Sequence, residues 1–422
     1  MKNYAKITSF LIALLIVASG CSSSANTDGE VTIDVFQFKV ELRQEFEEIA
    51  RLYEEENPGV KVNIETLGGG SNYSQSLLTK FSSGNAPDIF NVAGPSEVEA
   101  YRDYLSDLSD MESVETALEG TLNGVMDGDE VLGVPLNQEG YGFVYNKEVF
   151  EQAGIDAAEI LTFADLENAV EVLDSQKESL GIDAVFALPA ADTWPIGLHL
   201  ANSYLAPEFG DDISEAYNAE TLEFQRSDEL KRMLDLKNEY SVQPVLSLSY
   251  SQQVEELFSL GRVAMIKQGN WIYNSVHGID PEFAENNIGI FPVPVDGYEG
   301  MMPVGVAMYW GVNSNADEEV IQASKDFLDW MNNSETGKQF VMEDFSYIPA
   351  YEGYDATKIV DPISQEIYKY AEAGKTTGWV FNGAPVSWPG EALPVNMQRY
   401  LGGDMTWDEV VSDSIAKWEE LR

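Results

Sequence analysis

Between residues 31 and 92 the chain alternates extended apolar runs with helical stripes, and this alternation limits the folds open to it more than any other feature. Val31, Ile33 and Val35 alternate with polar residues, the mark of a half-buried strand. Leu42, Phe46, Ile49, Ala50 and Tyr53 then recur at helical spacing until Asn57-Pro58-Gly59 stops the helix. Val60, Val62 and Ile64 alternate again, and the glycine-rich run Gly68-Gly69-Gly70-Ser71-Asn72 leads to a helix carrying Leu77, Leu78 and Phe81. Residues 88–92 read as a third strand. Strand, helix, strand, helix, strand predicts an α/β fold with a parallel sheet, in which ligands gather beyond the carboxyl ends of the strands. Residues 36–41, 68–73 and 91–96 would line that edge.

At 422 residues the chain is too long for one ordinary core, so two lobes are expected. Residues 133–152 read as the passage between them. Pro135 biases Val134 toward extended backbone, Gly140 and Gly142 loosen the chain, and Phe143, Val144 and Tyr145 read as a short buried strand before a helix. Polar Asn137, Gln138 and Glu139 stand at the crossing. A second α/β pattern follows, with helices near residues 162–173, 228–239 and 251–260 and strands at 182–188 and 263–266. Residues 287–295, rich in proline, suggest an extended linker; residues 304–312 are strand-like, 345–351 look like a further crossing, and Thr406-x-x-Glu409 forms a capping box before the last helix.

The N-terminus reads as a processing segment. Lys2 and Lys6 precede an apolar run too short to span a bilayer, and Ser19-Gly20 precede Cys21. Cys21 is the sole cysteine, which excludes an intramolecular disulfide and a cysteine zinc site. Small residues before a lone cysteine look like the lipobox of bacterial lipoproteins, although Ala18 stands where leucine is commonest. Residues 1–20 are therefore expected to be a signal peptide, Cys21 the lipidated residue and residues 21–30 a tether. The formal net charge is -48, from 24 Lys and Arg against 72 Asp and Glu. Nucleic acid, which needs a basic face, is excluded as a partner, and membrane attachment is left to the lipid alone.

Several stretches together resemble the family 1 extracellular solute-binding proteins of ABC importers, the maltose-binding type. The family signature fits residues 135–150, including Tyr145-Asn146, and departs at Gln152. Other matching stretches are Glu55-Glu56-Asn57-Pro58-Gly59-Val60-Lys61-Val62, Gly84-Asn85-Ala86-Pro87-Asp88-Ile89, Ala264-Met265-Ile266-Lys267-Gln268-Gly269-Asn270-Trp271 and Ile348-Pro349-Ala350-Tyr351. Residues 36–41 and 68–73 look more particularly like binding proteins for raffinose-type and other multiple-sugar oligosaccharides. The resemblance implies an α/β, two-lobed periplasmic-binding-protein-like (type II) fold with a hinge of three crossings: residues 31–138 and 304–345 in lobe 1, residues 139–303 and 346–422 in lobe 2. It also implies a monomer that captures an oligosaccharide and delivers it to ABC importer permease subunits, with no cofactor, no metal and no chemistry of its own.

A sugar presents flat apolar faces and edges of hydroxyls, so its cleft needs aromatic plates beside paired donors and acceptors. Trp271, after Gly269-Asn270 at a strand end, and Trp194, in Asp192-Thr193-Trp194-Pro195, are the expected plates, with Trp388 a third candidate. Lys39 and Glu41, two apart in an extended stretch, would bracket sugar hydroxyls; a plain ion pair at a helix start is the alternative. Asn72, Tyr73, Asp88, Asn137 and Asn382 are further hydrogen-bonding candidates, Asp88 serving equally well as a strand start. Trp330 and Trp418 lie on helical stripes and are expected in the core, while Trp310 fits either role. Only His199 and His277 exist, and no HExxH, GxSxG or phosphate loop is present. A glycosidase needs only two carboxylates, so it stays open, as does a same-fold receptor for a non-sugar such as a polyamine.

Overall fold

A computed structural model of the chain describes residues 30–67 and 73–422, so Cys21 and Asn72 lie outside the described residues. Two sheets organise the molecule. The first has the order Val60–Thr66, Val31–Gln37, Ile89–Val92, Tyr309–Val312, Val134–Pro135. Its first three strands are parallel, as the alternation predicts, and Tyr309–Val312 runs antiparallel to both of its neighbours. Because successive side chains point to opposite faces, Ile33, Val35 and Ile89 enter one apolar cluster with Phe46 and Phe327, while Phe36, Phe90 and Val92 enter another with Leu77 and Tyr101.

The second sheet is built on the nine-residue strand Gln138–Asn146. Met302–Val306 pairs with its first residues, and Ile288–Phe291 and Val263–Gly269 pair further along, all antiparallel. Thr376–Thr377 and Ala184–Phe186 close the edges. Residues 287–295 are thus not simply a linker: Ile288–Phe291 lies along residues 143–146, whose backbone groups Met302–Val306 does not reach, and Pro292 and Pro294 fall just past it. Nor do the strand's glycines serve to loosen it. A Cβ on Gly142 would lie 2.2 Å from the Phe291 carbonyl oxygen, and one on Gly140 2.5 Å from Ile367, so both allow close packing.

The chain passes between the sheets three times: from Val134–Pro135 into Gln138–Asn146, from Met302–Val306 into Tyr309–Val312, and after the helix Glu335–Glu343, where Ile348 bridges to Gln138. The boundary expected at residue 304 therefore falls inside a strand of the second sheet, and the passage comes just after Val306. The helices follow their sequence signals. Arg43–Glu56 buries Phe46, Ile49, Ala50 and Tyr53 and ends where the Asn57 side chain donates to the Tyr53 carbonyl. Phe163–Leu180 and Trp407–Glu420 begin with capping boxes, Thr162 with Asp165 and Thr406 with Glu409. No described helix is long and apolar enough to cross a membrane.

Candidate functional site

Where the strand Val31–Gln37 ends, the chain turns through Val40–Leu42 rather than staying extended. The turn brings Lys39 and Glu41 together, Nζ to carboxylate 3.6 Å. Glu139, from the start of the long second-sheet strand, also holds the Lys39 ammonium, and Asn137 donates to the same Glu139 oxygen at 3.2 Å. The trio joins the two sheets, and the side chains of Lys39 and Glu139 are each only 5% exposed. Burial pulls the Lys39 ammonium down, but the two carboxylates outweigh it and leave the group above its ordinary value. Burial also raises the Glu41 carboxyl, which Lys39 offsets only in part.

Facing this polar corner, the second half contributes a nest of rings. Trp271 follows Val263–Gly269, and its ring stacks on the His199 imidazole, centroids 4.7 Å apart. Trp194 stands edge-on, 6.2 Å from Trp271 and 5.1 Å from Tyr250. Trp379 and Phe381 close in on His199 at 5.4 and 5.5 Å, and Tyr141 lies 5.6 Å from Trp379. Burial, with Lys267 and Lys39 nearby, pushes the His199 imidazole well below its usual range, so it is neutral at pH 7. Asn137 Oδ1, His199 Nδ1, the Tyr347 hydroxyl and Trp379 Nε1 are buried with no hydrogen-bond partner in the protein. Such atoms are costly unless something else satisfies them.

Glu41, Glu139, Asn270, Trp271, Asn274, Phe345 and Tyr347 are among the residues lining a cavity of about 10 Å³ here, room for one water molecule. Small-molecule sites run to about 300–1,000 Å³, so a sugar enters only if the halves part. A larger depression of about 420 Å³, lined by Glu208, Phe209, Gly210, Glu215, Asn218 and Ala219, is open to solvent. Its Glu208 carboxylate already accepts backbone N–H groups of Glu223, Phe224 and Gln225, and no ring nest converges there. Among the described residues no cluster of metal-ligating side chains occurs.

The structure brings Lys39, Glu41, Asn137, Trp194 and Trp271 to this cleft. Lys39 and Glu41 do pair with each other, as the plainer alternative held, but they do so buried and with Glu139 as third member. Asn382 lies at another meeting of the halves, where its backbone abuts Gly94. Three candidates go elsewhere. The Tyr73 hydroxyl donates to the Phe36 carbonyl and accepts the Asn91 N–H, clamping strand ends of the first sheet. Asp88 accepts the Asp34 N–H at 2.8 Å, the strand-start role. Trp388 is fully buried, its indole donating to the Ser414 carbonyl at 2.7 Å beside Trp418, so it belongs to the core. Trp310 is core as well, edge-on to Phe46.

The family profile for bacterial extracellular solute-binding proteins matches residues 39–338. The chain belongs to that family. Among curated relatives of this solute-binding protein, the melibiose/raffinose/stachyose-binding protein MelE of Bacillus subtilis is 23% identical over 382 residues, 85% of this chain and 87% of that one. The multiple sugar-binding protein of Streptococcus mutans is 23% identical over 316 residues, 70% of each chain. The solved structure of RafE in complex with raffinose superposes with a TM-score of 0.76 at 21% identity, covering 93% of this chain and 99% of that one. A Bacillus licheniformis sugar transporter in complex with stachyose gives 0.73 at 19% identity, covering 93% and 100%. These likenesses establish the two-lobed α/β fold.

The sequence reading missed several side chains that the fold brings to the cleft: Glu139, Tyr141, His199, Tyr250, Tyr347 and Trp379. Glu139 and Trp379 were within reach, since one stands in the polar crossing already marked and the other three residues before Asn382. His199 and Tyr250 carry no spacing signal, because only the tertiary fold sets them against Trp271 and Trp194.

Proposed function

We propose that this solute-binding protein captures an oligosaccharide between its halves and presents the closed form to the permease subunits of an ABC importer. The observation that carries this is the opposition of the Trp194–His199–Trp271–Trp379 nest to the Lys39–Glu41–Glu139–Asn137 corner across one cleft. Flat rings suit the apolar faces of sugar rings, and carboxylates, amides and unpartnered donors suit their hydroxyls. Relatives named for raffinose, stachyose and multiple sugars support the same reading. A polyamine receptor fits less well, because the two carboxylates already share Lys39 and amides stand among them. Contacts from both halves stabilise the closed form by their differential affinity, which is what a permease senses.

Lobe 1 comprises the residues around the first sheet and lobe 2 those around the second, with the passage near residue 307. A lipid on Cys21 holds the monomer at the outer face of the membrane, the acidic body staying clear of anionic lipid. The protein performs no chemistry on its sugar. Calorimetry of residues 31–422 against raffinose, stachyose, maltotriose and spermidine tests the assignment. Heat from a neutral oligosaccharide, with the sugar recovered intact, is expected; silence across the sugars, or hydrolysis, sinks it.

A further inference from the structure

Trp271 is held by two buried amides in series. Its indole N–H donates to Gln268 Oε1 at 2.9 Å, Gln268 Nε2 donates to Gln253 Oε1 at 2.6 Å, and Gln253 Nε2 donates to the Ala187 carbonyl at 2.6 Å. Gln253 is 0% and Gln268 1% exposed. The orientation of both amides follows from the ends of the chain. An indole N–H only donates and a backbone carbonyl only accepts, so each glutamine must turn its oxygen toward Trp271 and its nitrogen toward Ala187.

The partners come from three separate elements. Ala187 follows the strand Ala184–Phe186, Gln253 lies on the helical turn Gln252–Phe258, and Gln268 stands in the strand Val263–Gly269. For stability alone this is a poor use of the core, since apolar side chains of the same shape would serve about as well as two buried amides. What the amides add is direction. Trp271 is itself only half-buried and packs its ring against Gly269, where a Cβ would meet Trp271 ring carbon at 2.3 Å. Without the N–H anchor only packing against Gly269 and His199 holds the ring, and neither contact fixes the direction of its N–H edge.

We propose that Gln268 and Gln253 are positioning residues that fix the Trp271 indole as the plate on which the sugar stacks. This rests on the sugar-binding reading above, and a double-mutant cycle separates the two. Raffinose affinity is measured for wild type, Gln268→Met, Trp271→Phe and the double variant, each checked for folding by thermal melting. Phenylalanine keeps a ring but has no N–H for Gln268 to hold. Gln268→Met should weaken binding about tenfold in wild type, the upper range of one neutral hydrogen bond, and less than about threefold in the Trp271→Phe background. Equal losses in both backgrounds, or no loss in wild type, overturn the relay. If Trp271→Ala, which removes the ring, binds raffinose as tightly as wild type, the plate itself is wrong. Gln253→Met gives a second readout, two links from the sugar. The near-ultraviolet circular dichroism that Trp271→Phe removes from wild type should be lost in Gln253→Met too, and its persistence overturns the proposal even where Gln268→Met does not fold.

Discussion

Closure can be perturbed without touching the sugar at Gly94. This residue leads into the helix Pro95–Ala100 with φ at 169°, extended backbone that any residue adopts, so a side chain there brings no local strain. What it meets is the other half of the protein. A Cβ on Gly94 would lie 2.9 Å from the Asn382 carbonyl oxygen, 3.0 Å from Asn382 Cβ and 3.3 Å from Ile213 Cδ1. Relieving these contacts needs the halves to separate locally by roughly half an ångström, and valine, with two more carbons, demands more. Two hydrogen bonds bridge the same place, Ser96 Oγ to the Gly383 carbonyl at 3.1 Å and the Tyr217 hydroxyl to Glu99 at 3.0 Å. Losing them in the closed form alone costs about 1–2 kcal/mol. Gly94→Val should therefore weaken raffinose binding by about 5- to 30-fold. Its melting temperature without sugar should stay within about 1 °C, the shift that losing roughly 1 kcal/mol would give in a chain of this size. Calorimetry and a melting scan read the two quantities. Affinity within threefold of wild type would refute the idea that capture requires this contact, and a fall of many degrees would show that the contact belongs to the fold instead.

Other substitutions separate core from cleft. Trp388→Phe removes the buried bond to the Ser414 carbonyl, so stability should drop by about 1–3 kcal/mol in urea titrations while raffinose affinity holds; weaker binding at unchanged stability would return Trp388 to the site. Lys39→Met leaves Glu41 and Glu139 buried without their cation, and about 3–5 kcal/mol of stability should be lost, part of it recovered when Glu139→Gln is added. A single variant as stable as wild type contradicts the buried trio. Burial pushes the Asp361 carboxyl up to about 7, against opposing hydrogen bonds from the Ser364 hydroxyl and the Ile363 and Ser364 N–H groups. A carboxyl whose pKa is higher folded than unfolded stabilises the fold fully below about 4 and loses that contribution as pH climbs through about 7. Melting temperature should thus fall from pH 5 to 8 more steeply in wild type than in Asp361→Asn, and parallel profiles would remove Asp361 from the account.

Much of this architecture was legible in one chain because local pattern and tertiary fold agree. The alternation of Val31, Ile33 and Val35 became the first strand, and the Thr406-x-x-Glu409 capping box marks a helix start where the residues place it. The cleft was legible only in part. Trp271 and Trp194 declare themselves by standing beside chain breaks, whereas Trp388 has the same local setting and lies in the core, since burial is decided by helices distant in sequence. The misreading of residues 287–295 has the same cause. Proline density argues against a strand locally, but the open edge of Gln138–Asn146 is invisible until both segments are in place. Gly140 and Gly142 suggested freedom by composition, and the reason for them is the closeness of Ile367 and the Phe291 carbonyl.

The place where the sugar sits decides whether these residues form the binding cleft. A crystal structure of residues 31–422 grown with raffinose tests it most directly. A sugar ring against the Trp271 face, with hydroxyls in hydrogen-bond range of Glu41 or Glu139, is the predicted result; raffinose bound elsewhere, with Trp271 still stacked on His199 and the cleft shut, would contradict it.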